Sequence, residues 1–305
     1  MGDGVLVVDL SREGVDAAAR RELEAALMEL PCVSVALGSP ELSTGFDVCV
    51  AGEDALGAVM GGIARNPIAA LALVQLLRRG EQRSTGLALL DESLVYSTLQ
   101  AGPEFASWLA GHVRKDARME PTTAAVRVER SGGEMVLTLD RPEKRNAFSA
   151  EMRDALCEAL EIAVADESIA RVVLRGEGRA FCSGGDLDEF GTLPDPATAH
   201  LIRSTRHAAR LLDACASRAE AQVHGACIGA GIELPAFCER VVAAPDATFR
   251  LPELGMGLVP GAGGTCSIPR RIGRQRTAWL ALTGEVIDVD RAVRWGLVDA
   301  VREKG

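Results

Sequence analysis

The stretch at residues 224–265, HGACIGAGIELPAFCERVVAAPDATFRLPELGMGLVPGAGGT, constrains this chain more than any other, because glycines and prolines dictate the backbone around two glutamates, Glu233 and Glu253. Gly229-Ala230-Gly231 allows a tight turn and the close approach of a ligand. Ile232, Leu234, Ala236 and Phe237 predict a buried helix starting there, in which Pro235 is tolerated only near the first turn. The N–H groups of such a turn have no intrahelical partner, so they point outward and stabilise an anion. Residues 240–244 read as a buried strand, and Pro245-Asp246-Ala247 as a turn leading to Leu251-Pro252-Glu253. The segment is the candidate active site.

The 305 residues, 48% of them apolar, suffice for one large or two smaller units with a sizeable core. A net charge of −10 without a basic tract argues against nucleic acid or membrane insertion as the main business of the chain. The eight cysteines contain no C-x-x-C pair, and the first residues lack a basic stretch followed by an apolar one, which points to a reducing cytoplasm. His112, His200, His207 and His224 share no ligand spacing, so no metal is expected.

Taken in order, residues 5–10 predict a strand, 20–30 a helix, and 31–38 and 46–50 two more strands. Asn66-Pro67 is a helix-start signal before the apolar run 68–77. Residues 87–99 fit helix or strand, 105–112 a helix, and the charged run at 114–118 a linker to a second unit. That unit opens with strands at 125–129 and 135–140 joined at Ser131-Gly132-Gly133. Ser149 then caps a helix whose inner face carries Met152, Leu156, Ala159, Leu160 and Ala163. A strand at 170–175 runs into GRAFCSGGDL, a single helix over 197–216 follows, and a strand at 221–224 leads into the opening stretch.

Taken together, RPEKRNAF, GRAFCSGGDL, HGACIGAGIEL and LPELGMGLVPGAGGT, separated by these strands and helices, resemble the enoyl-CoA hydratase/isomerase (crotonase) family over about residues 122–303. One glycine-rich loop would be weak evidence; several motifs in order are specific. The resemblance implies an α/β fold, a crotonase-like spiral of ββα turns at 121–305, which binds acyl-CoA and assembles as trimers or dimers of trimers. Coenzyme A belongs to the substrate, and no separate cofactor is implied. It places an oxyanion hole at the N–H groups of Gly185 and Ala230, where donors stabilise an enolate more than the neutral thioester. Gly184, Asp186, Leu187 and Gly229 fall beside the bound acyl-CoA, and Arg141, Lys144 and Arg145 near its phosphates. Glu233 and Glu253 match the pair that holds a water in the family's hydratases, Glu233 as base and Glu253 as acid.

Two features depart from the family. Its members continue for several tens of residues past AVRWGLVDAV, whereas this chain ends at Gly305, and they lack the segment 1–120. That segment reads as a smaller α/β domain resembling a degenerate copy of the same unit. Arg20, Leu23, Ala26 and Leu27 repeat as Arg153, Leu156, Ala159 and Leu160; Glu92-Ser-Leu-Val resembles Glu239-Arg-Val-Val; Pro103-Glu104 parallels Pro252-Glu253. Without the glycine-rich loops it is expected to pack against the second unit or a neighbouring subunit and to stay clear of the thioester. The glutamate pair favours an enoyl-CoA hydratase. The alternatives are an isomerase or other crotonase-type lyase, and a catalytically weak acyl-CoA-binding or scaffold subunit with a protein partner.

Overall fold

The computed structural model describes residues 4–10, 17–38, 45–80, 83–113, 124–192 and 195–302. Strand β1 (Val5–Asp9), helix α1 (Ala17–Glu29), β2 (Val33–Leu37) and β3 (Val48–Val50) form a parallel three-stranded sheet in the order β1-β2-β3. Helices α2 (Glu53–Arg65), α3 (Pro67–Gly80), α4 (Thr85–Gln100) and α5 (Pro103–Gly111) follow. Pro67 is the first residue of α3, as its lack of an N–H favours. The Asn66 side chain does not cap that helix but donates to the carbonyl of Leu254, far along the chain, at 2.6 Å. Residues 87–99 are helical throughout; their buried face includes Glu92, Ser93 and Ser97, and those polar side chains blur the apolar period. The expected linker lies outside the described residues.

The second unit begins with the hairpin of β4 (Val126–Ser131) and β5 (Glu134–Leu139), turning at Gly132 with φ 57°. Helix α6 (Ala150–Ala165) starts where Ser149 Oγ accepts from the Met152 N–H at 3.2 Å, and it buries all five expected residues. Next come β6 (Arg171–Gly176), α7 (Pro196–Thr205), α8 (Ala208–Ala214), β7 (Ala219–Val223), β8 (Ala226–Ile228), α9 (Ala230–Glu233), β9 (Arg240–Ala243) and β10 (Thr248–Arg250). The chain continues through α10 (Gly264–Ile272), α11 (Arg274–Thr283), β11 (Ile287–Asp288), α12 (Val289–Trp295) and β12 (Ala300–Val301). A six-stranded sheet in the order β12-β9-β7-β6-β5-β4 is parallel except for its opening hairpin. A smaller sheet, β11-β10-β8, stands beside it. From β7 to β10 successive strands feed the two sheets in turn.

The single helix expected over 197–216 is two helices, broken at Arg206-His207. The break re-aims the chain, so Ala208, Ala209 and Leu212 are buried while Leu201, in the helix before it, is 61% exposed. The parallel between the two halves also stops early. The order β1-α1-β2 matches β5-α6-β6, but Glu92-Ser-Leu-Val lies inside helix α4, whereas Glu239-Arg-Val-Val leads into β9. Pro103-Glu104 opens α5, and Pro252-Glu253 opens a short 3-10 turn.

One buried apolar cluster runs through both halves, from Val33 and Leu73 to Leu282 and Val298. Helices α3 and α4 pack on α10, α2 on α11, and α4 on α7. No single described helix is long and apolar enough to cross a membrane. Polar groups fix the same interface. Asp47, 1% exposed, accepts from the N–H and Oγ of Ser34 at 2.8 Å each and from Arg78 Nε and Nη2 at 2.8 and 2.6 Å. Arg274 of α11 reaches the same carboxylate at 3.6 Å and donates to the carbonyls of Phe46 and Gly45. Removing this anion leaves the buried Arg78 guanidinium without the carboxylate it is paired with. Asp47→Ala is therefore expected to cost about 3–5 kcal/mol in urea unfolding, with the front and second halves still unfolding in one transition.

Candidate functional site

Glu233 and Glu253 come from elements that the local sequence stops short. Helix α9 lasts one turn, shorter than the apolar pattern suggests, because Pro235 carries the chain into a 3-10 turn, Pro235–Phe237. Glu233 is its last residue and 2% exposed. Its Oε2 accepts from the N–H groups of Ala262 at 2.7 Å and Gly264 at 2.9 Å. Residue 264 has to be glycine, since a Cβ there would lie 2.6 Å from Glu233 Cγ. Glu253 begins the 3-10 turn Glu253–Met256 and is 8% exposed. Its Oε2 has no hydrogen-bond partner among the described residues. Its Oε1 lies where a side chain at Gly229 would have to go.

The two carboxylates share a cavity of about 690 Å³ with Gly185 and Ala230. Around these two residues the backbone is tied down: Phe148 N–H bonds Gly184 O at 2.7 Å, Asp186 N–H bonds Phe148 O at 3.1 Å, and Gly229 N–H bonds Arg250 O at 3.0 Å. The N–H groups of Gly185 and Ala230 donate to no backbone carbonyl among the described residues. Asp186 and Leu187 line the cavity as well. Gly184 and Gly229 shape it from behind, both with positive φ, and neither is among the lining residues. Lys144 and Arg145 do not line it either. Lys144 pairs with Asp188 at 3.0 Å, and Arg141 with Asp186 at 3.1 Å, so these cations hold the Gly-Gly-Asp loop in shape. Arg145 has φ 53° and its carbonyl accepts from the Ser183 N–H at 3.0 Å.

The far wall is the surprise of the site. Tyr96 of α4 and Phe105, Trp108 and Leu109 of α5 line the same cavity, so the front segment forms part of its wall. Gly261 permits this, because a Cβ there would lie 2.4 Å from the Tyr96 ring. Trp108 meets Phe190 edge to face at 5.8 Å, and Arg203 sits 4.6 Å over Tyr96. A third buried carboxylate, Glu92, is 1% exposed and accepts from the N–H groups of Gly263 at 2.7 Å and Thr265 at 2.9 Å. These residues carry no local motif. Only the helical spacing of Glu92 and Tyr96, four residues apart on one face, hinted at them.

Burial pushes Glu253 up to about 8, with the charge of Glu92 adding to it. Burial also raises Glu92, to about 7, against the pull of its bonds from Thr265 and Gly263. Burial, together with the charges of Glu253 and Glu92, also holds Glu233 well above the usual carboxylate range, and the N–H groups of Ala262 and Gly264 oppose that rise. Those two donors favour the charged form of Glu233, whereas Glu253 has an oxygen that no donor among the described residues reaches. Among the described residues no cluster of His, Cys, Asp and Glu could hold a metal ion.

The sequence model of the family described as enoyl-CoA hydratase/isomerase matches residues 129–304, more than half of the chain. The chain belongs to this family. The 2,3-dehydroadipyl-CoA hydratase of Escherichia coli is 38% identical over 174 residues, covering 57% of this chain and 68% of that protein. The 1,2-epoxyphenylacetyl-CoA isomerase of the same organism is 36% identical over 171 residues, covering 54% and 65%. An enoyl-CoA hydratase structure from Mycobacterium smegmatis superimposes with TM-score 0.54 at 34% identity, over 60% of this chain and 70% of that one. A putative enoyl-CoA hydratase from Thermobifida fusca in complex with acetoacetyl-CoA does so with TM-score 0.54 at 28% identity, over 58% and 73%. This chain thus spans about two thirds of the length of the curated relatives it matches. Its crotonase fold lies in the matched part, and Glu92, Tyr96, Phe105 and Trp108 lie before it.

Carboxylates raised by burial make stability depend on pH with a definite sign. Glu92 and Glu253 are raised from 4.5 to about 7 and about 8. Their contribution is therefore full below about pH 4.5 and lost as pH rises through 7–8. The melting temperature is expected to fall between pH 5 and 8.5, and Glu253→Gln to flatten that fall; thermal melts across this range measure both.

Proposed function

We propose that the chain is an enoyl-CoA hydratase, adding water reversibly and syn across the double bond of a 2-enoyl-CoA thioester. What carries this reading is the pairing of two buried carboxylates in unlike surroundings, Glu233 held by two N–H groups and Glu253 with an unpartnered oxygen, in one cavity with the N–H groups of Gly185 and Ala230. Relatives named as hydratases, and one solved with acetoacetyl-CoA, support the substrate class.

In this reading the thioester oxygen lies between Gly185 and Ala230. Glu233 takes a proton from a water as its oxygen attacks Cβ, and the electron pair of the double bond moves through Cα to the thioester oxygen. The developing enolate is stabilised by the two donors, which are in place before the charge arrives. Glu253, protonated near neutral pH because burial raises it to about 8, delivers its proton to Cα as the enolate collapses. The overall addition is neutral; the proton left on Glu233 returns through solvent to Glu253. An isomerase needs one such group to move a proton along the acyl chain, whereas water addition uses both.

The test is turnover of crotonyl-CoA and longer 2-enoyl-CoAs by the purified full chain, followed by loss of the conjugated thioester absorbance. Glu233→Gln and Glu253→Gln are each expected to slow hydration by about 10²–10⁴-fold with little change in acyl-CoA affinity. The double variant should cost far less than the product of the two. Hydration should decline as pH rises through about 8, where Glu253 loses the proton it donates. Wild-type isomerisation of a 3-enoyl-CoA without any hydration would replace this reading by the isomerase.

A further inference from the structure

Four consecutive N–H groups at the start of α10 serve two carboxylates in alternation. Ala262 and Gly264 donate to Glu233, while Gly263 and Thr265 donate to Glu92, and Thr265 Oγ1 adds a bond to Glu92 at 2.6 Å. Gly263, the residue before the helix, has φ 103° and no side chain with which to cap it. The cap comes instead from α4, more than 160 residues earlier in the chain. A Glu92 side chain that only filled space there could be apolar at lower cost, since a buried carboxylate loses its hydration.

We propose that Glu92 is a positioning residue for the hydration reaction: it clamps Gly263 and Thr265 and thereby aims the N–H groups of Ala262 and Gly264 at Glu233. This rests on the reading of Glu233 as the base. The geometry leaves little slack, because each peptide of the 262–265 loop is bonded to one carboxylate or the other. Rotating either peptide at Gly263 or Thr265 moves the donors on both sides of it. The Glu233 backbone is tied to the same helix, its carbonyl accepting from Ser267 Oγ at 2.8 Å.

The charged and titratable groups around Glu92 are few. Arg203 of α7 lowers its pKa, and Arg203 in turn bonds Ser93 and Ser97 on the same helix face. Tyr96 lies one turn along α4 under the Arg203 guanidinium, and His200 of α7 shares a hydrogen bond with Ser93 at 2.9 Å. Glu233 and Glu253 face Glu92 from the second unit. The front segment thus reaches the base through backbone donors and through charge.

The experiment uses the full chain and the variants Glu92→Gln and Thr265→Val. The Gln amide turns an NH₂ toward a peptide N–H, so at least one clamp bond is lost; Thr265→Val removes only the Oγ1 bond. We expect kcat for crotonyl-CoA hydration to fall about 10–100-fold in Glu92→Gln, the range for misplacing a reacting group by a fraction of an ångström to one ångström, and severalfold in Thr265→Val, with KM within about twofold. Proton exchange at Cα of butyryl-CoA, which depends on Glu253 rather than Glu233, should stay within about threefold of wild type in both. Wild-type kcat in both variants overturns the proposal while leaving the hydratase reading intact. So does an equal loss of exchange and hydration, the signature of general loosening. If Glu92→Gln does not fold, Thr265→Val decides by the same two rates. A wild-type chain that hydrates no 2-enoyl-CoA overturns both readings together.

Discussion

An anion in an apolar interior is tolerated only where donors replace its water, and here the donors are the unpaired N–H groups at the start of α10. Glu233 and Glu92 are both bonded there, and Glu253 lies close enough for Glu92 to raise it. The loop 261–264 is built of glycines and alanine because the carboxylates and the Tyr96 ring approach its backbone closely. Much else follows from that crowding. A larger residue would push the carboxylate off its donors, and a donor without its carboxylate would be a buried unsatisfied group.

The same device joins the front helices to one another. The N–H groups of Ile68 and Ala69 at the start of α3, just after Pro67, donate to Glu104 of α5 at 2.8 and 2.9 Å. Asn66 then reaches Leu254, beside Glu253. The Asn66 link runs from the front segment to the turn carrying the second carboxylate, and Asp47 with Arg78 and Arg274 closes the interface on the other side. Hydrophobic burial supplies the driving force, and these bonds set the register in which α4 and α5 meet the cavity.

A wall of Tyr96, Phe105 and Trp108 opposite two carboxylates and two outward N–H groups creates a pocket apolar on one side and polar on the other. The two carboxylates meet that pocket in unlike surroundings: one oxygen of Glu253 has no donor among the described residues, and Glu233 accepts from two N–H groups. The cavity of this family member is therefore walled in part by residues outside the region by which the family is recognised.

What was legible in the sequence was the fold of the second unit and the residues of its candidate site. Gly229-Ala230-Gly231, Gly184-Gly185-Asp186 and the two glutamates are local signals, because turn geometry and helix starts depend on neighbours in the chain. The strands and helix α6 followed from period and caps for the same reason. A charge in sequence does not show its partner: that Lys144 pairs with Asp188 is set by the fold of the loop. Only the tertiary structure decided where the front segment goes. Polar residues on the buried face of α4 hid its helical period, the break at Arg206-His207 re-aimed an unremarkable helix, and the clamp of Glu92 on Gly263 spans 171 residues of sequence. Contacts of that separation are set by packing of whole elements, which no local pattern records.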